Sequence, residues 1–119
     1  MNSSDAKHRR VLVTSALPYA NGPLHFGHIA GVYLPADIYT RHLRLLGVEV
    51  IHISGSDEHG VAIMQNAQKV KVDYKEYVNN WHQQHKALFS SYDIDTDFFG
   101  QTSSSYQEEE VLKWFEVMN

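Results

Sequence analysis

The chain has no cysteine, which excludes a disulfide framework and any thiolate metal knuckle built from its own residues. It also lacks an apolar run long enough to span a bilayer, and Met1 to Arg10 is polar where a signal peptide would carry an apolar core. A cytoplasmic protein with no membrane partner is the expectation. Basic residues are in the minority, 10 Lys and Arg against 14 Asp and Glu for a net charge of -4. No chain-wide cationic surface is therefore available to hold nucleic acid by phosphate neutralisation alone. What is present is ordinary for a folded domain: 119 residues, 43% hydrophobic and 20% charged, enough for one core without staples.

Residues 1–10 read as a polar tail. Val11, Leu12, Val13 and Thr14 form a short β-branched run of the kind found in a buried parallel strand. Residues 16–24 come next, where Pro18, Pro23 and the Asn21-Gly22 pair interrupt both helix and strand and demand an ordered turn. From Gly27 to Leu46 the apolar positions Ile29, Val32, Tyr33, Ala36, Tyr39, Leu43 and Leu46 recur at helical spacing, with Gly47 as a stop. Pro35 predicts a kink between Gly31 and Pro35, because it lacks an N–H and crowds the carbonyl four residues earlier.

Val48 to Ile53 reads as a second strand, and Gly55-Ser56-Asp57-Glu58-His59-Gly60 as a polar loop at its carboxyl end. A short helix is expected at 61–70, and a longer one opened by a capping box of Asp73 and Glu76. The longer helix would bury Tyr74, Tyr77, Val78, Trp81, His85, Leu88 and Phe89. A third strand at 97–101 and a helix at 105–118 complete the pattern, the helix opened by Ser105 and Glu108 with Val111, Leu112, Phe115 and Met118 facing inward. Trp114 reads as a core aromatic, and His82 and His85 as structural. The order is βαβ with parallel strands, an α/β pattern throughout.

In an open parallel sheet, ligands sit outside the carboxyl ends of the strands, so both polar loops are expected to face one crevice. The first carries His25-Phe26-Gly27-His28 at a helix start, where free backbone amides favour an anionic phosphate. Two imidazoles add donors, and Gly27 leaves space for a flat base. In the second loop, Asp57 offers a carboxylate for an ammonium group. Glu58 reads as solvent-facing. Bland readings exist beside these: capping histidines at 25 and 28, a metal held by His25 and His28 with Asp57 or His59, a Tyr19 that only braces the loop, and an Asp57 that caps the following helix.

These residues carry a resemblance. Leu17-Pro18-Tyr19-Ala20-Asn21-Gly22-Pro23-Leu24-His25-Phe26-Gly27-His28 resembles the first signature of class I aminoacyl-tRNA synthetases, with Phe26 at the aliphatic position of its His-Ile-Gly-His core. Gly55 to Gly60 is similar to the Gly-Thr-Asp-Glu-His-Gly loop of methionyl-tRNA synthetases, whereas the isoleucine and leucine enzymes show Gly-Trp-Asp followed by Cys-His or Ala-Phe. Nucleotidyltransferases that share the His-x-Gly-His core precede it with Gly-x-Phe-Asp, where Leu17-Pro18-Tyr19-Ala20 stands here. The resemblance runs from about Val11 to Met118.

The resemblance implies a methionine–tRNA ligase that activates methionine with ATP and Mg2+ and transfers it to the methionine tRNA. It assigns Leu17, Tyr19 and Asp57 to methionine, His25, Gly27 and His28 to ATP, and charge stabilisation to the two histidines. No metal ligand is assigned. Family members also carry a zinc-knuckle insertion, the second half of the nucleotide fold, a Lys-Met-Ser-Lys-Ser loop and an anticodon-binding domain. None of these is in the sequence, so the resemblance implies that residues 11–119 are the first half of an α/β, Rossmann-like nucleotide-binding catalytic domain, inactive alone and prone to self-associate through an exposed sheet edge. The alternatives are a module that binds nucleotide or amino acid without turnover, and another nucleotidyltransferase. Residues 98–106 depart from the family's common Arg-Thr-Thr…His pattern at Gln101 and Tyr106, and no role is assigned there.

Overall fold

The computed structural model describes residues 10–118, and the polar tail lies outside the described residues except for Arg10. Strands β1 (Arg10–Thr14), β2 (Glu49–Ser56) and β3 (Phe98–Gln101) form a parallel sheet in the order β1-β2-β3. Register pairs Val11 with Val50, Leu12 with Ile51 and, across the other side of β2, Gly55 with Gly100. Between β1 and β2 run α1 (Phe26–His28), a π-helical turn (Ile29–Tyr33) and α2 (Leu34–Leu45); between β2 and β3 run α3 (Val61–Val70) and α4 (Tyr74–Ser91); α5 (Ser105–Met118) comes last. This is the expected α/β architecture of parallel strands flanked by helices, and β1 stands at its edge.

The kink predicted at Pro35 takes the form of the π turn. Proline cannot bond the Gly31 carbonyl, and the widened turn lets the Leu34 N–H bond the Ile29 carbonyl instead, so the break is absorbed within a continuous helical path. The wider turn also rotates α2 about its own axis. Asp37 and Thr40 are buried, while Tyr39 and Leu46, expected inside, are exposed. Asp37 is compensated: its Oδ1 accepts the Asp95 N–H at 2.9 Å and its Oδ2 the Arg41 Nε–H at 2.6 Å. Thr40 donates its hydroxyl to the Ala36 carbonyl at 2.8 Å.

Apolar packing holds the helices where the loops need them. Ile29 and Tyr33 of the π turn pack with Phe89 and Ile94, and Ala20 of the first loop packs with Ile63 of α3 and Val78 of α4. Burying each large side chain contributes roughly 1.5–3 kcal/mol, so the first loop is seated on the same contacts that join α3 to α4. Asp73 caps α4 by accepting the Lys75 N–H at 2.9 Å; the reciprocal half expected from Glu76 is not among the bonds of this cap.

One face of the sheet is covered and the other is open. Val50, His52, Ser54 and Ser56 of β2 are buried, whereas Leu12 and Ile51, register neighbours on the opposite face, are 62% and 51% exposed. The expectation of a buried β1 is thereby corrected: its pleat hides only one side. The inward face assigned to α5 is also corrected, since Val111, Leu112, Trp114, Phe115 and Met118 are all exposed. Helical periodicity identifies a face but not its partner. Its cap is Ser104 rather than Ser105, with Ser104 Oγ accepting the Gln107 N–H at 3.3 Å.

Candidate active site

The two polar loops meet at the carboxyl ends of β1 and β2, as the fold requires. Tyr19 and Asp57 form an isolated parallel bridge. The Asp57 N–H donates to the Pro18 carbonyl at 2.8 Å, and the Asp57 carbonyl accepts the Ala20 N–H at 2.8 Å. Two backbone bonds thus pair Asp57 with Tyr19 across the two loops. Asp57 does not cap α3, whose N-cap is Gly60. Gly60, at φ +149, leaves the space taken by the Tyr19 hydroxyl, which a Cβ would strike. Leu17 is half exposed and lines a small cleft of about 170 Å3 with Ile53, Gln101 and Thr102. A larger hollow, lined by Arg41, Lys86 and Asp95 among others, lies at the amino end of β3, away from the loops.

His25 and His28 form a reciprocal cap. His25 Nδ1 accepts the Gly27 N–H at 3.1 Å, and His28 Nδ1 accepts the His25 N–H at 3.2 Å. Their rings stack with centroids 3.8 Å apart and planes at 23°. A nitrogen that accepts a backbone N–H carries no proton, so in each ring the proton sits on Nε2. The caps are compatible with a donor role: the backbone fixes the tautomer and leaves each Nε2–H as a donor. Gly27 makes the cap fit, because a Cβ there would stand 3.0 Å from His25 Cε1. The space assigned to a flat base is thus bordered by the His25 ring itself.

Helix α4 fastens both loops. Tyr77 donates its hydroxyl to Asn21 Oδ1 at 3.2 Å and His85 Nε2–H donates to the Gly22 carbonyl at 3.0 Å, both in the first loop. Tyr74 donates its hydroxyl to the Glu58 carbonyl in the second. Burial holds the His82 and His85 pKa values below the usual imidazole range, opposed at His82 by Glu58 and at His85 by the Gly22 carbonyl. Burial likewise raises Tyr74, with Glu58 adding to the effect.

The clearest departure from the sequence reading is Glu58, which is fully buried. Its Oε1 accepts the Ser56 hydroxyl at 2.7 Å and Gln101 Nε2–H at 3.1 Å; its Oε2 accepts the Ser103 hydroxyl, and the Ser103 N–H at 3.4 Å. Its own N–H donates to Thr102 Oγ1 at 2.8 Å. An acidic residue in a polar loop carries no sequence signal of burial; apart from Ser56, its partners come from β3's carboxyl end, 43 to 45 positions away. His59 is exposed, with Nε2 3.1 Å from the Thr102 carbonyl. Among the described residues, no group of three or more His, Asp or Glu side chains could hold a metal ion, and no helix is long and apolar enough to cross a membrane.

Comparison with known proteins gives a consistent result. The family described as tRNA synthetases class I (M) matches residues 11–119. Over 106 residues the chain is 55% identical to a methionine–tRNA ligase of Chlamydia abortus, covering 89% of this chain and 19% of that protein. The Chlamydia caviae ligase is 58% identical over 99 residues, 83% of this chain and 18% of that one. The chain therefore spans about a fifth of the length of these relatives. Among solved structures, the Mycobacterium tuberculosis methionyl-tRNA synthetase in complex with methionyl-adenylate superposes with a TM-score of 0.81 at 27% identity, over 85% of this chain and 20% of that one.

Proposed function

The chain belongs to the class I tRNA synthetases (M), and from that premise we propose that it carries the first part of a methionine-activating site, in a protein that forms methionyl-adenylate from methionine and ATP and passes methionine to its tRNA. The observation that carries this reading is the joining of the two loops through Tyr19 and Asp57. Asp57 pairs with the substrate ammonium, the Tyr19 ring closes over the amino acid, and Leu17 contributes the adjoining backbone and apolar surface. An oxygen of the methionine carboxylate attacks the α-phosphorus of ATP, the bond from that phosphorus to the bridging oxygen breaks, and pyrophosphate leaves.

No protein nucleophile is needed, because the substrate carboxylate does the bonding and the site supplies position and charge stabilisation. Negative charge grows on the phosphate oxygens in the transition state. The Nε2–H groups of His25 and His28, oriented by their caps, are the donors for it, and the short spacing across Gly27 lets the phosphates approach the helix start. Mg2+ enters with ATP as part of the substrate.

The test is methionine-dependent exchange of labelled pyrophosphate into ATP by the full-length protein carrying this sequence. Exchange that requires methionine and rejects isoleucine and leucine is the expected result; exchange indifferent to the amino acid refutes the assignment.

A further inference from the structure

Glu58 follows the proposed ammonium-binding carboxylate directly in the chain, yet it points the other way, into the protein. Its carboxylate meets side-chain donors from Ser56, Gln101 and Ser103 and the Ser103 N–H. Ser56 has one hydroxyl proton, which goes to Glu58, so its oxygen accepts from His82 Nδ1 at 2.7 Å, and His82 is fixed with its proton on Nδ1. The chain of donors therefore runs from α4 through β2 to Glu58, and a second set reaches it from the β3 turn. The main chain of Glu58 is held as well, its N–H by Thr102 and its carbonyl by Tyr74.

A fully buried charge is costly unless its acceptor sites are filled. Here they are filled by groups from β2 and from β3 with the turn that follows it, so both strands must be in place. The result is a peptide unit after Asp57 with few degrees of freedom. Asp57 itself is only partly buried. Its backbone bonds to Pro18 and Ala20 secure one side, and Glu58 secures the other.

We infer that Glu58 is a positioning residue for methionine: it locks the 57–58 peptide against the Gln101–Ser103 turn so that the Asp57 carboxylate is held toward the substrate ammonium. The inference rests on the functional reading above. It also gives a role to the end of β3 and the turn after it, where Gln101, Thr102 and Ser103 hold the amino-acid half of the site. Glu58→Gln keeps the shape but places an NH2 against donors that need an acceptor, so the loop loosens without loss of volume.

Pyrophosphate exchange in the full-length protein, with each substrate varied separately, distinguishes positioning from mere structural support. Glu58→Gln is expected to raise the methionine KM about tenfold or more while the ATP KM stays within about twofold. A fall in kcat with both KM values unchanged, the sign of a smaller folded fraction, would overturn the inference. Should Glu58→Gln fail to fold, Ser103→Ala, which removes one donor and leaves the carboxylate, is expected to raise the methionine KM about threefold to fivefold, and an unchanged value overturns it equally. No methionine-dependent exchange by the wild-type protein would refute the functional reading and this inference together, whereas normal wild-type exchange with unmoved variants refutes this inference alone.

Discussion

The two loops at the strand ends reach order by different routes. The first loop builds its functional end from short-range contacts: His25 and His28 cap each other's backbone within one turn, and both remain accessible. The second is ordered from a distance, with Glu58 buried and bonded to residues of β2 and the β3 turn. A loop tied locally presents its donors outward with little dependence on the rest of the fold. One tied at long range makes substrate positioning and stability a single property, because the same bonds serve both.

That contrast sets the order of expected effects. Removing the buried carboxylate by Glu58→Ala leaves the Ser56, Gln101 and Ser103 donors unmatched, and is expected to cost about 3–5 kcal/mol in chemical denaturation. A loss under about 1 kcal/mol would show that the second loop is not stabilised through Glu58. His28→Ala in the first loop should do the opposite, lowering the exchange rate about tenfold or more with little change in stability. An unchanged rate would remove His28 from charge stabilisation.

The pH dependence of stability is a gentler probe of α4, which clasps both loops. Burial lowers the pKa values of His82 and His85 from 6.5. The unfolded chain then binds more protons than the folded one in the interval below 6.5, so stability is intact above that pH and falls as pH drops through it. Each ring contributes a slope of up to about 1.4 kcal/mol per pH unit. Urea midpoints at neutral and mildly acidic pH check this; a midpoint that rises on acidification contradicts the sign. The smallest effect is expected from Trp114→Ser on the exposed face of α5, less than about 0.5 kcal/mol, and a larger loss would mean that this face is packed.

Much of this was legible in the sequence because its causes are local. Asp73 announces the start of α4, Pro35 the disturbed helix, and the apolar spacing the stripes of α4 and α5. The candidate residues Tyr19, His25, Gly27, His28 and Asp57 stand out in the sequence because their loops are short motifs. Burial was harder to read wherever it depends on a distant partner. Glu58 is charged and sits among polar neighbours, so nothing local marks it as interior. The apolar stripe of α5 is periodic, yet periodicity does not say what covers it. Asp37 replaces Tyr39 inside because one π turn shifts the phase of the helix after it, a displacement that regular helical spacing cannot anticipate.

At the centre of the proposed function stands a division of labour: Asp57 is assigned to the amino acid and the histidines to the nucleotide. The most direct measurement is the KM of each substrate in pyrophosphate exchange by Asp57→Asn, which removes the charge but keeps the shape. The methionine KM is predicted to rise about tenfold or more, with the ATP KM within about twofold of the wild-type value. A raised ATP KM beside an unaltered methionine KM would contradict the assignment of the two loops.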